Sequence, residues 1–428
     1  MSNPENLVVV HLSATAVYAV IGQIHAPDDI RILGLTEVKT NDFYQGRIID
    51  HDRLKASIKQ AIQEVEDMAN CRVHSVWLSL STPELLSKNS SGTVNLGEDP
   101  ISVKDIVEAL GQAKARDLPH DYYLMHHMQQ GVYINNESMA VDNPIGTYAD
   151  MMTVMYHLMM LPVVGCRNIE DLFRPTNVRI DHMIFDAISS SEYGLISDEK
   201  EQGICFIDIG ASTTSVCVYK DNKLIFTSCL PHGSNQVTMD ISAHLGLSMI
   251  EAENIKKRNG TVDMLSIDPA KFINVSRDGA EDLTVNMHEL TLIIEARYRE
   301  IYKEVFIELD NANLLNFIKR GVVLSGGGSM IKGMVSFSKR FLEVNVMLAN
   351  TNDAINVVDN IDDEKFQQIN ALMKQPGFRT AFGTLLYSQS EDFRHNEHSS
   401  PDALYKNSKA NGFNSALKRL NEFLKQWL

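Results

Sequence analysis

Asp208 closes an apolar run, Gly203–Asp208, and the chain then turns through Gly210, Ala211, Ser212 and Thr213 into a second apolar run, Thr214–Tyr219. A strand-end carboxylate beside a turn of glycine and hydroxyl residues suits one chemistry. Backbone N–H groups and hydroxyls hold phosphate oxygens, while the carboxylate orients the water shell of a magnesium ion. Further along, Gly321–Ser325 is another apolar run, and it ends in Gly326, Gly327 and Gly328. Backbone without side chains there can lie flat against a base or ribose. Other constellations carry less. His120, His126 and His127 lack a partnered ligand spacing and read as solvent or subdomain-surface histidines. His288-Glu289 has no second histidine at zincin spacing, and the chain contains neither a G-x-x-x-x-G-K-[ST] loop nor a G-x-S-x-G elbow.

The elements that must position these residues read as α/β. Residues 7–22 predict two strands around a short turn, with a third near Ile30 to Val38. Leu54, Ile58, Ile62, Val65 and Met68 then recur at helical spacing before the strand Val73–Leu80. From Ser81 to Pro162 the texture changes to a polar stretch, a helix near Ser102 and strand-like pieces, which reads as an inserted subdomain. The methionine-rich run Met151 to Val164, broken by Thr153, His157 and Pro162, is too short to span a bilayer and predicts a buried strand. A second α/β start is clearer: Gly203–Asp208, Thr214–Tyr219 and Lys223–Leu230 form a meander, with Asp221-Asn222 as a tight turn. Ser248 and Glu251 make a capping box that opens a helix stopped by Asn259-Gly260, and a long amphipathic helix covers Glu289 to Leu309.

At 428 residues, with 44% hydrophobic and 22% charged residues, the chain has material for more than one core. Its formal net charge of −16 argues against general nucleic-acid binding, since no basic stripe is present to neutralise phosphates. Five cysteines without C-x-x-C spacing indicate neither a disulfide framework nor a zinc site. The opening residues show no basic segment followed by a long apolar run, so no signal peptide is expected.

The end of the chain inverts this charge. Phe413, Leu417, Leu420, Leu424 and Leu428 fall on one helical stripe widened by Ala416, Phe423 and Trp427, while Lys418, Arg419 and Lys425 outnumber Glu422 on the other face. Such a helix either docks on a core or lies in the plane of an anionic phospholipid surface. The polar stretch 388–412 that precedes it reads as a flexible linker, and a leash favours the membrane placement. Its roughly 25 residues reach on the order of 25–30 Å, about a domain diameter.

Taken in order, GICFIDIGASTTSVCVY, NQVTMDISAHLG, EAENIKKRNG, GVVLSGGGSMIKGM, TAFGTLLY and the tail SALKRLNEFLKQWL resemble the actin/Hsp70/sugar-kinase ATPase superfamily and, within it, the FtsA cell-division actins. The resemblance covers about Leu7 to Tyr387 and then the tail. It implies two ribonuclease-H-like α/β lobes around a nucleotide cleft, an inserted α+β subdomain and a C-terminal amphipathic helix. The first lobe would take 1–82 and 163–195 with a return segment near 365–387, and the insertion 83–162. The second lobe would take 196–230 and 311–364, its smaller subdomain 231–310, and the tail 413–428.

By the same resemblance Asp208, Gly210, Ala211, Ser212 and Thr213 form the second phosphate loop, with Asp208 toward the metal. Asn235, Thr238 and Asp240 sit near the nucleotide, Glu253 and Lys256 flank ribose and adenine, and Gly326, Gly327, Gly328 and Met330 belong to the adenosine loop. The first phosphate loop corresponds to Ser13, Ala14 and Thr15, but His11 stands where the family has an acid. Ala211 and Ser212 replace glycines, and Ser215 replaces the acid that often follows. Neutral imidazole is a poor magnesium ligand, so ATP binding with Mg2+ is expected to survive better than hydrolysis. The implied function is an ATP-binding, self-assembling adaptor that tethers the tail of the tubulin-like protein FtsZ to the cytoplasmic face of the inner membrane at the division septum and helps recruit later division proteins. A small-molecule kinase, a chaperone-type ATPase and a pilus-assembly actin are the rival readings.

Overall fold

The computed structural model describes residues 5–277, 281–358, 363–390 and Phe393. The amphipathic segment 413–428 and most of the linker 388–412 lie outside the described residues.

The chain opens as a meander, β1 (Glu5–Leu12), β2 (Ala16–Ala26) and β3 (Asp29–Lys39), followed by a small hairpin, β4 (Phe43–Tyr44) and β5 (Arg47–Ile48). Helix α1 (His51–Ala69) starts where the Asp50 carboxylate accepts from the Arg53 N–H, and it buries Leu54, Ile58, Ile62 and Val65 on the sheet. Strand β6 (Ser75–Leu80) then pairs parallel to β1 and sets His11 opposite Ser79.

The insertion is a three-stranded antiparallel sheet with one helix: β7 (Leu86–Asn95), α2 (Val103–Asp117), β8 (Tyr122–Ile134) and β9 (Met151–Pro162), in the order β7-β9-β8. The polar run at 87–95 is a strand because its hydroxyls find partners: Ser90 Oγ donates to the Ala113 carbonyl, and Thr93 Oγ1 meets Thr153 Oγ1 at 2.9 Å. The methionine-rich run is a buried strand as expected. The histidine expectation is corrected. His120 is exposed, but His126 and His127 are buried, because β8 bulges between Leu124 and His126 and packs its middle under the first lobe.

The chain returns through α3 (Val163–Phe173), β10 (Arg179–Phe185), α4 (Asp186–Gly194) and the short α5 (Ser197–Gln202). A second meander follows: β11 (Ile204–Ile209), β12 (Thr214–Lys220) and β13 (Lys223–Leu230). Asp221 and Asn222 both have positive φ, the backbone of a two-residue hairpin turn. After it come α6 (Ser234–Leu245), α7 (Met249–Asn259), a ribbon of β14 (Phe272–Val275) and β15 (Leu283–Asn286), and the long α8 (Met287–Asn311). The chain closes through β16 (Gly321–Ser325), α9 (Met334–Leu342), β17 (Val346–Leu348), β18 (Ile355–Val357), α10 (Asp363–Met373) and α11 (Arg379–Tyr387).

Two sheets repeat one topology. The first runs β10-β6-β1-β2-β3-β18 and the second β13-β12-β11-β16-β17, so each meander continues into strands parallel to its first member. Separate apolar clusters fill the two lobes and the insertion. Helices α4 and α11 pack together between the lobes, tied by Ser190 Oγ to Thr380 Oγ1 at 2.9 Å and by Thr384 Oγ1 to Ser189 Oγ at 2.9 Å. The chain past α11 does not leave the body at once: Phe393 sits among Trp77, His182 and Tyr387.

Candidate nucleotide cleft

The C-terminal ends of β1, β6, β10, β11 and β16 converge on one cleft of about 750 Å³ between the lobes. This is where open α/β sheets place their ligands. Parallel pairing sets Asp208 of β11 opposite Ser325 of β16, which brings the two motif loops together. Gly326 is required at that junction: its φ is +81°, and an added Cβ would fall 2.3 Å from the Ile209 carbonyl oxygen. Nothing lies within 4 Å of the equivalent point on Gly327.

Of the residues singled out in the sequence, Ser13, Ala14, Thr15, Asp208, Gly210, Ala211, Ser212, Thr213, Asn235, Glu253, Lys256, Gly326, Gly327, Gly328 and Met330 all line the cleft. Two do not. Thr238 lies beneath it, where its Oγ1 donates to Glu253 Oε2 at 2.5 Å and receives Lys256 Nζ at 2.7 Å. Asp240 is held away in a two-pronged pair with Arg297, at 2.6 and 2.9 Å, a geometry that consumes both carboxylate oxygens.

Glu253 and Lys256 occupy one wall as an ion pair at 2.7 Å, and Lys256 also donates to the Ser234 carbonyl at 3.0 Å. Burial pushes Lys256 down and Glu253 up, but the attraction of Lys256 for Glu253 leaves the carboxyl below its ordinary value. The wall is therefore a fixed charge pair. With Lys257, Arg258, Lys271, Lys332 and Arg379 it makes the cleft rich in cations on a chain of net charge −16, as a polyanion requires.

The first loop is turned in on itself. Ser13 Oγ donates to the Ala16 carbonyl and accepts from the Ala16 N–H, so its hydroxyl closes its own turn. His11 is buried, stacks on Tyr18, and has its Nδ1 3.2 Å from the Ser79 carbonyl. Burial pushes it down to about 4, so the ring is neutral.

The cleft also contains a carboxylate that the sequence reading missed. Asp186 follows β10 and Asp208 is the penultimate residue of β11, each after a run of apolar residues, Met183 to Phe185 and Cys205 to Ile207. That repeated pattern was the available signal. Both carboxyls are raised above the ordinary range. Burial is the largest cause for each, and the charge of Asp208 adds to the shift of Asp186. Hydrogen bonds from Ser190 and Ser325 partly offset the shift of Asp208. Two crowded carboxylates among hydroxyl oxygens fit a hard divalent cation, whose charge would relieve both. Among the described residues no group of three or more His, Cys, Asp or Glu converges as a metal site. A magnesium ion here would thus be held by Asp186 and Asp208 together with oxygens of its ligand.

Repeated lobes, an interlobe cleft and strand-end loops facing it define an actin-like protein. The PilM–PilN type IV pilus biogenesis complex superposes with a TM-score of 0.63 at 16% identity, over 90% of this chain and 98% of that one. MreB5 of Spiroplasma citri bound to ADP superposes with a TM-score of 0.54 at 11% identity, over 91% and 98%. These likenesses show the fold. Family models narrow the class: "Cell division protein FtsA" matches residues 205–383, and "SHS2 domain inserted in FTSA" matches residues 83–160. The cell division protein FtsA of Buchnera aphidicola from Schizaphis graminum is 27% identical over 87% of this chain and 90% of its own length. That of Pseudomonas aeruginosa is 26% identical over 89% and 88%, and that of Escherichia coli K12 25% identical over 98% and 97%. The chain belongs to the FtsA family of cell division proteins.

Proposed function

We propose that this chain is an ATP-binding scaffold that self-assembles and links FtsZ filaments to the cytoplasmic face of the inner membrane at the septum, aiding recruitment of later division proteins. The observation that carries the nucleotide part is the cation-lined cleft with its paired carboxylates. ATP would lie with its phosphates at Gly210 to Thr213 and its adenosine between Lys256 and Gly327. Asp186 and Asp208 would hold magnesium, which neutralises charge between the phosphates. Solved MreB5 structures of the same fold contain ADP and AMPPNP, which supports the reading.

The membrane part rests on sequence. Among the described residues no helix is long and apolar enough to cross a membrane. The amphipathic stretch 413–428 would lie in the surface, with Phe413, Leu417, Leu420, Phe423, Leu424, Trp427 and Leu428 in the lipid and Lys418, Arg419 and Lys425 at the headgroups. One such foot binds reversibly, and assembly multiplies weak anchors through effective concentration. The FtsZ tail would dock on the subdomain at 231–310, while the insertion at 83–162 would serve self-association and contacts with later division proteins. Liposome co-sedimentation of the full chain against one ending at Gly412 tests the tether: the full chain pellets with anionic vesicles, and equal pelleting of both removes the proposal. Trp427→Glu should release the protein from vesicles without lowering the thermal midpoint of the body.

A further inference from the structure

The hydroxyls that replace glycine and acid in the second phosphate loop are already engaged across the cleft. The tip of the β4–β5 hairpin, in the first lobe, rests on this loop. The Gln45 N–H donates to Ser212 Oγ at 3.1 Å, and Gln45 Nε2 donates to the Pro231 carbonyl at 2.5 Å. Ser81 Oγ lies 2.9 Å from Thr213 Oγ1, both side chains buried, and Ser215 Oγ donates to Asp186 Oδ1 at 3.1 Å. Four hydrogen bonds thus join the first lobe to the second, three of them on the stretch 212–215 and the fourth on Pro231.

The hairpin is shaped for this contact. Gln45 has φ +50°, a conformation costly for a residue with a side chain, and Gly46 has φ +76°. An added Cβ on Gly46 would fall 2.2 Å from Thr82 Cβ, so the tip is wedged against the residue following Ser81. A strained tip persists where surrounding contacts over-determine it, and here those contacts are the interlobe ones. On the far side the insertion ties the second lobe as well: Ser87 Oγ, Asn89 Nδ2 and Gln130 Nε2 donate to the Thr227, Ile225 and Leu224 carbonyls of β13.

We infer that the cleft is latched closed by its own side chains, so that nucleotide enters an already closed protein and does not switch the lobe angle. This deepens the ATP-binding reading and, for its nucleotide arm, rests on it. A ligand shifts a conformational equilibrium only by its differential affinity for the two states, and a population that is already closed leaves little to shift. The γ-phosphate that would bridge two lobes is replaced in that role by Ser81, Ser212, Thr213 and Gln45. Assembly of this chain should then depend on nucleotide for occupancy and little on ATP against ADP.

Hydrogen–deuterium exchange of the full-length protein tests this, read at peptides covering 43–48 with and without Mg-ATP. Fluorescent-ATP binding is measured in parallel. The wild-type hairpin should exchange slowly and change less than about twofold on adding ATP. Ser81→Ala combined with Ser212→Ala should speed hairpin exchange by roughly 10- to 100-fold without nucleotide, since each lost bond is worth about threefold to tenfold. Gln45→Asn, too short to reach Pro231, should give roughly threefold and covers the case where the double variant is unstable. A wild-type hairpin that exchanges fast alone and is slowed tenfold by ATP overturns the latch, as do variants that exchange like wild type. If fluorescent ATP does not bind the wild type, the nucleotide reading fails, and the nucleotide-free exchange arm still decides the latch.

Discussion

The nucleotide cleft and the seam between the insertion and β13 both bury polar side chains drawn from distant parts of the chain, and they treat them in opposite ways. In the seam His157 is satisfied on both sides, its Nδ1 2.6 Å from Asn89 Oδ1 and its Nε2 2.8 Å from Thr227 Oγ1. In the cleft Asp186 and Asp208 share one buried site, each raised above its ordinary value. Completed polar networks specify packing, whereas crowded like charges mark a place for a ligand. His157 therefore serves structure, and a carboxylate that attracted no notice in the sequence lines the cleft.

The largest break in this comparison comes from Asp208→Asn. It removes one of the two carboxylates, so Mg-ATP affinity should fall about 10- to 100-fold in a fluorescence titration, while affinity in EDTA changes little. The nucleotide-free protein should become more stable, because a buried, repelled charge is gone. A fall in both affinity and stability would show that Asp208 is structural. Next comes the seam. His157→Ala strands the buried Thr227 hydroxyl and leaves a cavity, at a cost of about 2–4 kcal/mol in denaturant unfolding, with ATP affinity unchanged.

The two regions should also respond to pH with opposite signs. Burial pushes His126 and His157 down to about 3, so the folded state keeps them neutral while the unfolded chain protonates them near 6.5. Their contribution to stability is complete above about 6.5 and is lost as pH falls toward 3, at roughly 1.4 kcal/mol per pH unit for each ring. The raised carboxyls act the other way: their contribution is complete below the ordinary carboxylate range and is lost as pH rises through the raised values. Unfolding free energy measured from pH 7 to pH 4.5 should fall in the wild type and fall less steeply in His157→Leu. Mg-ATP affinity should instead weaken as pH drops, because the pair must ionise to hold the cation.

The difference between the regions also explains what could be read from sequence. Both meanders, the capping box and the two loop motifs were legible because they are local: alternation, a turn pair at Asp221-Asn222 and a glycine run each declare themselves within a few residues. The burial of His126 was not legible, since it depends on a bulge in β8 and on a lobe joined much later in the chain. Asp186 was hidden because α4 looks like an ordinary amphipathic start, and only the convergence of β10 with β11 gives the residue a partner. Asp240 lies off the cleft for the complementary reason: Arg297, from α8, claims both of its oxygens.

The smallest effect tests whether the cleft wall is held locally. Ser248 caps α7 by accepting from the Glu251 N–H, and Glu251 returns the bond to the Ser248 N–H. Ser248→Ala should cost about 1 kcal/mol of stability. The same helix carries Glu253 and Lys256, yet Lys256 is anchored independently on Ser234 and Thr238 of α6. Loosening the first turn of α7 should therefore leave the ammonium in place, and ATP affinity should change by less than about twofold. A tenfold loss of affinity from this remote cap would mean that the wall depends on the helix start as much as on its buried ion pair. The separation of ligand-holding from structure-holding contacts would then not extend to α7.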